Sequence, residues 1–289
     1  MKNDESKANI RFPIRELSAR TQVHTVTLRA WERRYGLLKP QRTPKGHRLY
    51  SDDDVVTVGN ILGFVARGVP LGKVRRLLND GASSSSQFDE TESWQGLLTD
   101  VLLAIDAFSV SKLAHIIQET FANYPVPICR DRLIEPLLSA LVLRDDHGAA
   151  SGFVENEIIR YALGRTNTKA ASKKDPFSVT LIAGQYAPLW RLALTALELT
   201  DADFSTYLFS QRYSVAAAVE LANKFSESHV VFYEDGIWKN KENGLIDGAL
   251  LENTRLFVCG TAAVLANLSD DRRVFANLES CFKSMLKQR

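Results

Sequence analysis

The chain has 289 residues, 45% apolar, 24% charged and 9% aromatic, a globular composition that excludes a disordered, collagen-like or disulfide-stapled protein and suits about two domains. Three cysteines (Cys129, Cys259, Cys281) stand singly, no apolar run is long enough for a bilayer, and the opening MKNDESKANIRF is polar, so a reduced, cytoplasmic protein with no leader and no cysteine metal cage is expected. The net charge of +2 hides a division: residues 1–80 hold 16 Lys+Arg against 8 Asp+Glu, the remainder 20 against 26, which points to a polyanion-binding module on an acidic body.

Along the chain, IRELSAR predicts a short amphipathic helix with Ile14 and Leu17 on one side. After a turn at Thr21-Gln22-Val23, TVTLRAWERRY opens on hydroxyl residues suited to an N-cap and runs for about three turns. Two short helices across a tight turn outline a helix-turn-helix. GLLKPQRTPKGHRLY then reads as a two-stranded hairpin, a wing, with turn chemistry at Thr43-Pro44-Lys45-Gly46. Ser51 followed by Asp52, Asp53 and Asp54 marks a helix N-terminus, Gly68 its stop and Pro70 the start of a helix through KVRRLL. Trp31, Leu28, Leu37 and Tyr50 are core candidates, and Arg34 is a candidate intrachain partner near Glu32.

The Ser-rich stretch at 81–91 reads as a linker, followed by helical spacing through 92–165. The polar run 166–176, closed by Pro176, is a second linker. From 177 to 289, SVTLIAG, FSTYLFS, HVVFYED and RLFVCGT predict buried strands. LWRLALTALEL, SVAAAVELANKF and DRRVFANLESCFKSML predict helices. The alternation implies βαβ units and a mainly parallel sheet. The paired acids Glu234-Asp235 follow a strand at the edge where ligands sit in such sheets; a solvated turn is the plainer alternative.

The string TLRAWERRYGLLKPQRTPKGHRLYSDDDV resembles the winged helix-turn-helix of MerR-type bacterial transcription regulators, and AWERRYGL resembles the branch with a cobalamin-binding-like C-terminal region. The resemblance implies a multidomain fold: an N-terminal, mainly α winged helix-turn-helix (1–80), a middle four-helix-bundle-like domain (92–165) and a C-terminal α/β Rossmann-like domain (177–289). It implies a homodimer on double-stranded promoter DNA, contacting RNA polymerase and distorting the duplex as an activator, rather than an enzyme. Thr25, Thr27, Arg29 and Arg33 would sit on or near the exposed side of the reading helix, and Tyr35 would end it, where a phenol can bond phosphate. Arg42, Lys45, His47 and Arg48 in the wing would flank the duplex.

Within that branch, a cobalamin sensor carries a Trp, then Glu-His over the corrin, and an imidazole from the loop after the first strand. Here His147 stands where the Trp belongs, Glu157 matches the Glu, Ile158 replaces the His, and QYAPLWRL replaces the lower-ligand loop. No cobalamin, other cofactor or metal is therefore expected, with Trp190, Leu189 and Phe153 as fillers of the space. The resemblance is to the cobalamin-free type, which implies control of biofilm or matrix genes. Two other roles for the C-terminal region stay open: a sensor of another small molecule, such as a cyclic dinucleotide, or a surface for a signalling protein.

Overall fold

The computed structural model describes residues 11–80, 90–170, 178–225, 227–269 and 271–286. The chain packs as two compact units, which meet in sequence between Phe153 and Val154.

The first unit opens with a short strand β1 (Phe12–Pro13), then α1 (Ile14–Thr21) and α2 (Thr25–Ala30). Gln22, in the left-handed region at φ 56°, turns the chain between the two helices. The His24 ring caps α2 by accepting from the Val26 N–H. Trp31–Tyr35 continues α2 as a wider π-helical turn. The wing follows as β2 (Gln41–Arg42) and β3 (Arg48–Tyr50), paired antiparallel, and the Gly46 N–H closes its tip onto the Thr43 carbonyl at 2.8 Å. β1 pairs with the other side of β3, Phe12 opposite Tyr50, so the sheet has three strands in the order β1-β3-β2. At the head of α3 (Asp52–Ala66), the Asp54 carboxylate accepts from both the backbone N–H and the hydroxyl of Ser51. Three acids in the first turn suit the positive end of the helix. Gly68 ends this stretch and α4 (Leu71–Asp80) follows. Leu17, Leu28, Trp31, Leu37, Tyr50, Ile61 and Val74 form one core.

Helical segments α5 (Glu90–Asp106), α6 (Val110–Asn123), α7 (Val126–Cys129), a π-helical turn at Arg130–Ile134, α8 (Glu135–Val142) and α9 (His147–Ala170) come next. α9 runs five residues past 165, so the stretch read as a linker from 166 begins as helix. The first core extends into this region: Tyr124 and Ile128 pack against it.

The second unit, from Val154 onward, holds a parallel sheet of β4 (Ser178–Gly184), β5 (Ser205–Tyr213), β6 (His229–Tyr233), β7 (Leu256–Cys259) and β8 (Val274–Phe275), in the order β5-β4-β6-β7-β8. α10 (Leu189–Asp201) and α14 (Leu278–Leu286) cover one face. α11 (Val215–Lys224) and α12 (Asn240–Glu252) cover the other, where Ile182, Val230, Phe232, Leu256 and Val258 point into a shared core. This is a Rossmann-like, doubly wound arrangement. α13 (Thr261–Leu265) follows β7. Two expectations change. DRRVFANLESCFKSML is not one helix: Asp271–Arg273 makes a single 3-10 turn, Val274–Phe275 adds a fifth strand beside β7, and only Leu278–Leu286 is α-helical. NKENGLIDGALLE, not among the expected helices, forms α12.

Candidate nucleic-acid interface

Helical periodicity sorts the side chains of the second helix. Leu28 and Trp31 are fully buried, and Thr27, four residues before Trp31 and so on the same face, is only 2% exposed. Thr27 therefore faces the core and not the exposed side expected for it. Thr25 is half-buried. The outward stripe is Val26, Arg29 and Arg33, spaced by three and four residues. Val26, 47% exposed, was not a sequence candidate; its spacing from Arg29 was the available signal. Tyr35 is half-buried, packs against the core, and burial raises its phenol pKa.

In the wing, Arg42, Lys45 and His47 are exposed and Arg48 is half-buried. Arg42 and Arg48 lie directly opposite each other across β2 and β3. Both reach one carboxylate on the reading segment: Arg48 Nε donates to Glu32 Oε2 at 2.5 Å, and Arg42 Nη2 to Glu32 Oε1 at 3.1 Å. The Glu32 carboxylate raises the Arg48 pKa further, against the effect of burial. Beneath them the Tyr50 phenol, within electrostatic reach of Glu32 and Arg48, is pushed up to about 12, chiefly by burial.

The reading segment is backed by α6. Trp31 Nε1 donates to the Asn123 carbonyl at 2.8 Å, a buried bond spanning 92 positions. Arg34 donates to both Glu119 oxygens, at 2.7 and 3.3 Å, and to Asn123 Oδ1 at 3.3 Å. Its ionic partner is thus Glu119 and not the Glu32 neighbourhood. Arg34 holds the Glu119 carboxyl below the usual range.

The chain order of the sheet reverses at β4, so the crevice typical of ligands opens beyond the carboxyl ends of β4 and β6. There the Glu234 side chain, 3% exposed, turns inward and accepts from the Gln185 and Tyr186 N–H groups at 2.7 and 2.8 Å. Burial pushes its carboxyl up, and those two N–H groups pull it down. A Cβ on Gly184 would lie 2.1 Å from Glu234 Oε2. One on Gly260, where φ is +105°, would lie 2.1 Å from the Glu234 carbonyl. The loop closes this tightly only with glycine at both places. Asp235, half-buried, accepts from the Tyr233 hydroxyl at 2.7 Å and from the Thr261 N–H at 3.2 Å. Glu234 is therefore no solvated turn residue; its carboxylate belongs to the loop scaffold.

A family model described as MerR HTH family regulatory protein matches residues 12–81. The chain is 30% identical over 181 residues to the HTH-type transcriptional regulator MlrA of Salmonella typhimurium (strain SL1344), covering 62% of this chain and 72% of that protein. The chain belongs to the MerR family. Within it, this MerR-family regulator is of the type with a C-terminal extension. It is 35% identical over 126 residues to the HTH-type transcriptional regulator MlrA of Escherichia coli (strain K12), covering 44% of this chain and 50% of that protein. It is also 30% identical over 128 residues to the HTH-type transcriptional repressor CarH of Myxococcus xanthus, covering 40% and 42%. The matched region thus spans half the length of the Escherichia coli relative.

The residues at the sheet edge do not fit a histidine-ligated cobalamin. The loop after β4, Gln185–Pro188, contains no imidazole, and its first two N–H groups are taken by Glu234. Trp190, at the head of α10, is 9% exposed, and its backbone N–H donates to Glu155 Oε1 of α9 at 3.3 Å. Arg212 grips the same carboxylate through Nη2, at 3.0 and 2.8 Å. Glu157 is 3% exposed and paired with Arg160, and Ile158 beside it is buried. His115 is exposed and His229 opens β6 at the opposite edge of the sheet. Among the described residues no cluster of three metal-ligating side chains occurs, and no helix is long and apolar enough to cross a membrane.

Proposed function

We propose that this protein is a sequence-specific, DNA-binding transcription regulator that reads promoter DNA as a homodimer. The observation that carries the reading is the outward stripe of Val26, Arg29 and Arg33 beside a wing with exposed Arg42, Lys45 and His47. Arginines aimed into a major groove read guanine edges, and an exposed valine suits a thymine methyl. The wing cations, with Arg48, contact phosphate or the minor groove. In this reading residues 1–80 hold the DNA-contacting surface, with Thr25 and Tyr35 at its margin. Residues 92–165 support it and residues 177–289 receive the signal. One reading helix and wing cover too few base pairs for specificity, so two copies act on a near-palindromic site.

The names of the relatives support transcriptional regulation. Activation through promoter distortion, contact with RNA polymerase and control of biofilm or matrix genes are the further elements of the proposal. At the C-terminal sheet, the inward Glu234 favours a signalling-protein contact over a small-molecule sensor, because the chain's own carboxylate takes the N–H groups an anionic ligand would use.

Gel-shift titration of the full chain tests the reading. Arg29→Ala and Arg48→Ala should each weaken binding to a selected duplex by about 1–3 kcal/mol, and wild-type affinity should fall steeply with salt. Wild-type binding that is insensitive to salt, or two variants that bind like wild type, would refute it.

A further inference from the structure

We propose that Glu32 is a positioning residue for DNA reading: it fixes the wing to the reading helix and sets how Arg42 and Arg48 meet the duplex. The inference rests on the DNA-binding reading above and deepens it. Charge alone argues the opposite. A carboxylate on a surface that meets a polyanion weakens binding, and removing it should tighten the complex.

The geometry gives this acid another task. Arg42 and Arg48 face each other across the hairpin, where like charges directly opposite destabilise the pairing. Glu32 lies between them with its side chain 14% exposed and gives one oxygen to each. It thereby joins β2, β3 and the reading segment through a single side chain. Neither guanidinium is used up. Arg48 spends only Nε and Arg42 only Nη2 on Glu32, and among the described residues their other N–H groups have no protein partner. Arginine presents five donors in a fixed fork, so each can hold Glu32 and a phosphate at once. The trio keeps a net positive charge with its direction set before DNA arrives, which lowers the ordering cost of binding.

The test uses the full chain and two probes: a short duplex selected by the wild-type chain from a random library, and poly(dI-dC) as non-specific DNA. Glu32→Asp keeps the charge but is one methylene too short to serve both arginines. Glu32→Gln keeps the size and removes the charge. Each should weaken binding to the selected duplex by about tenfold. Binding to poly(dI-dC) should be unchanged for Glu32→Asp and unchanged or tighter for Glu32→Gln. In a chain already carrying Arg42→Ala and Arg48→Ala, Glu32→Gln should no longer weaken the selected complex, a non-additivity that a general fold defect would not produce. Melting is recorded for each variant, and Glu32→Asp decides if Glu32→Gln does not fold. Equal or tighter binding of the selected duplex by Glu32→Gln, with Glu32→Asp like wild type, would overturn the positioning role alone. A wild-type chain that selects no sequence would remove both this role and the DNA reading beneath it.

Discussion

The Tyr50 ring fills the middle of the first core at 0% exposure, yet its hydroxyl meets no hydrogen-bond partner among the described residues. A buried donor left unmade costs about 1–3 kcal/mol. Phenylalanine keeps the ring and drops the stranded group, so Tyr50→Phe should stabilise the protein by about 1 kcal/mol. Chemical denaturation monitored by circular dichroism reads this directly; a loss of stability would mean that the hydroxyl is bonded in solution. At this scale the sequence separated core from surface well for Leu28, Trp31, Leu37 and Tyr50. It misplaced Thr27, expected on or near the exposed side of the helix, where helical phase puts the side chain inside. Glu32 was hidden for a different reason: its two partners come from strands whose register the string does not state.

Between elements, the contact of the reading segment with α6 is the least expected feature. It is carried by the Trp31–Asn123 bond and the Arg34–Glu119 pair. The pair carries a pH signature. Because Arg34 depresses the folded-state pKa of Glu119, the contribution is present above the unfolded-state value and is lost as pH falls through the folded one. Both side chains are substantially exposed, at 50% and 43%, so the effect is modest, about 0.5 kcal/mol. Stability curves of wild type and Glu119→Gln should differ at neutral pH and converge on acidification. Parallel curves down to strong acid would contradict the pairing. The long helices and inner strands were legible because their apolar periodicity is strong. α12 was not, since Gly244 and Gly248 dilute its pattern, and neither was β8, whose two residues carry no periodicity of their own. β1 is equally short and is defined only by its pairing with β3.

On the scale of the whole chain, the charge division and the packing division do not coincide. The basic excess ends near residue 80, whereas the first compact unit continues to Phe153. A fragment of residues 1–80 would keep the cations. It would lose Asn123 and Glu119, and with them Tyr124 and Ile128 from the edge of its core. It should therefore melt at a lower temperature than a fragment ending at residue 153, with DNA affinity reduced accordingly; calorimetry of the two fragments would decide. Equal melting would make the support from α6 dispensable.

The Trp31 bond has one more consequence, for how such proteins diverge. Its acceptor is a main-chain carbonyl, which every residue type supplies, so replacement at position 123 leaves the acceptor in place. Arg34 instead depends on what side chain position 119 carries. Over evolutionary time the pair 34 and 119 should change together and leave a covariation trace. The tryptophan's tie to α6 would leave none, so statistical coupling alone would overlook the more deeply buried of the two connections.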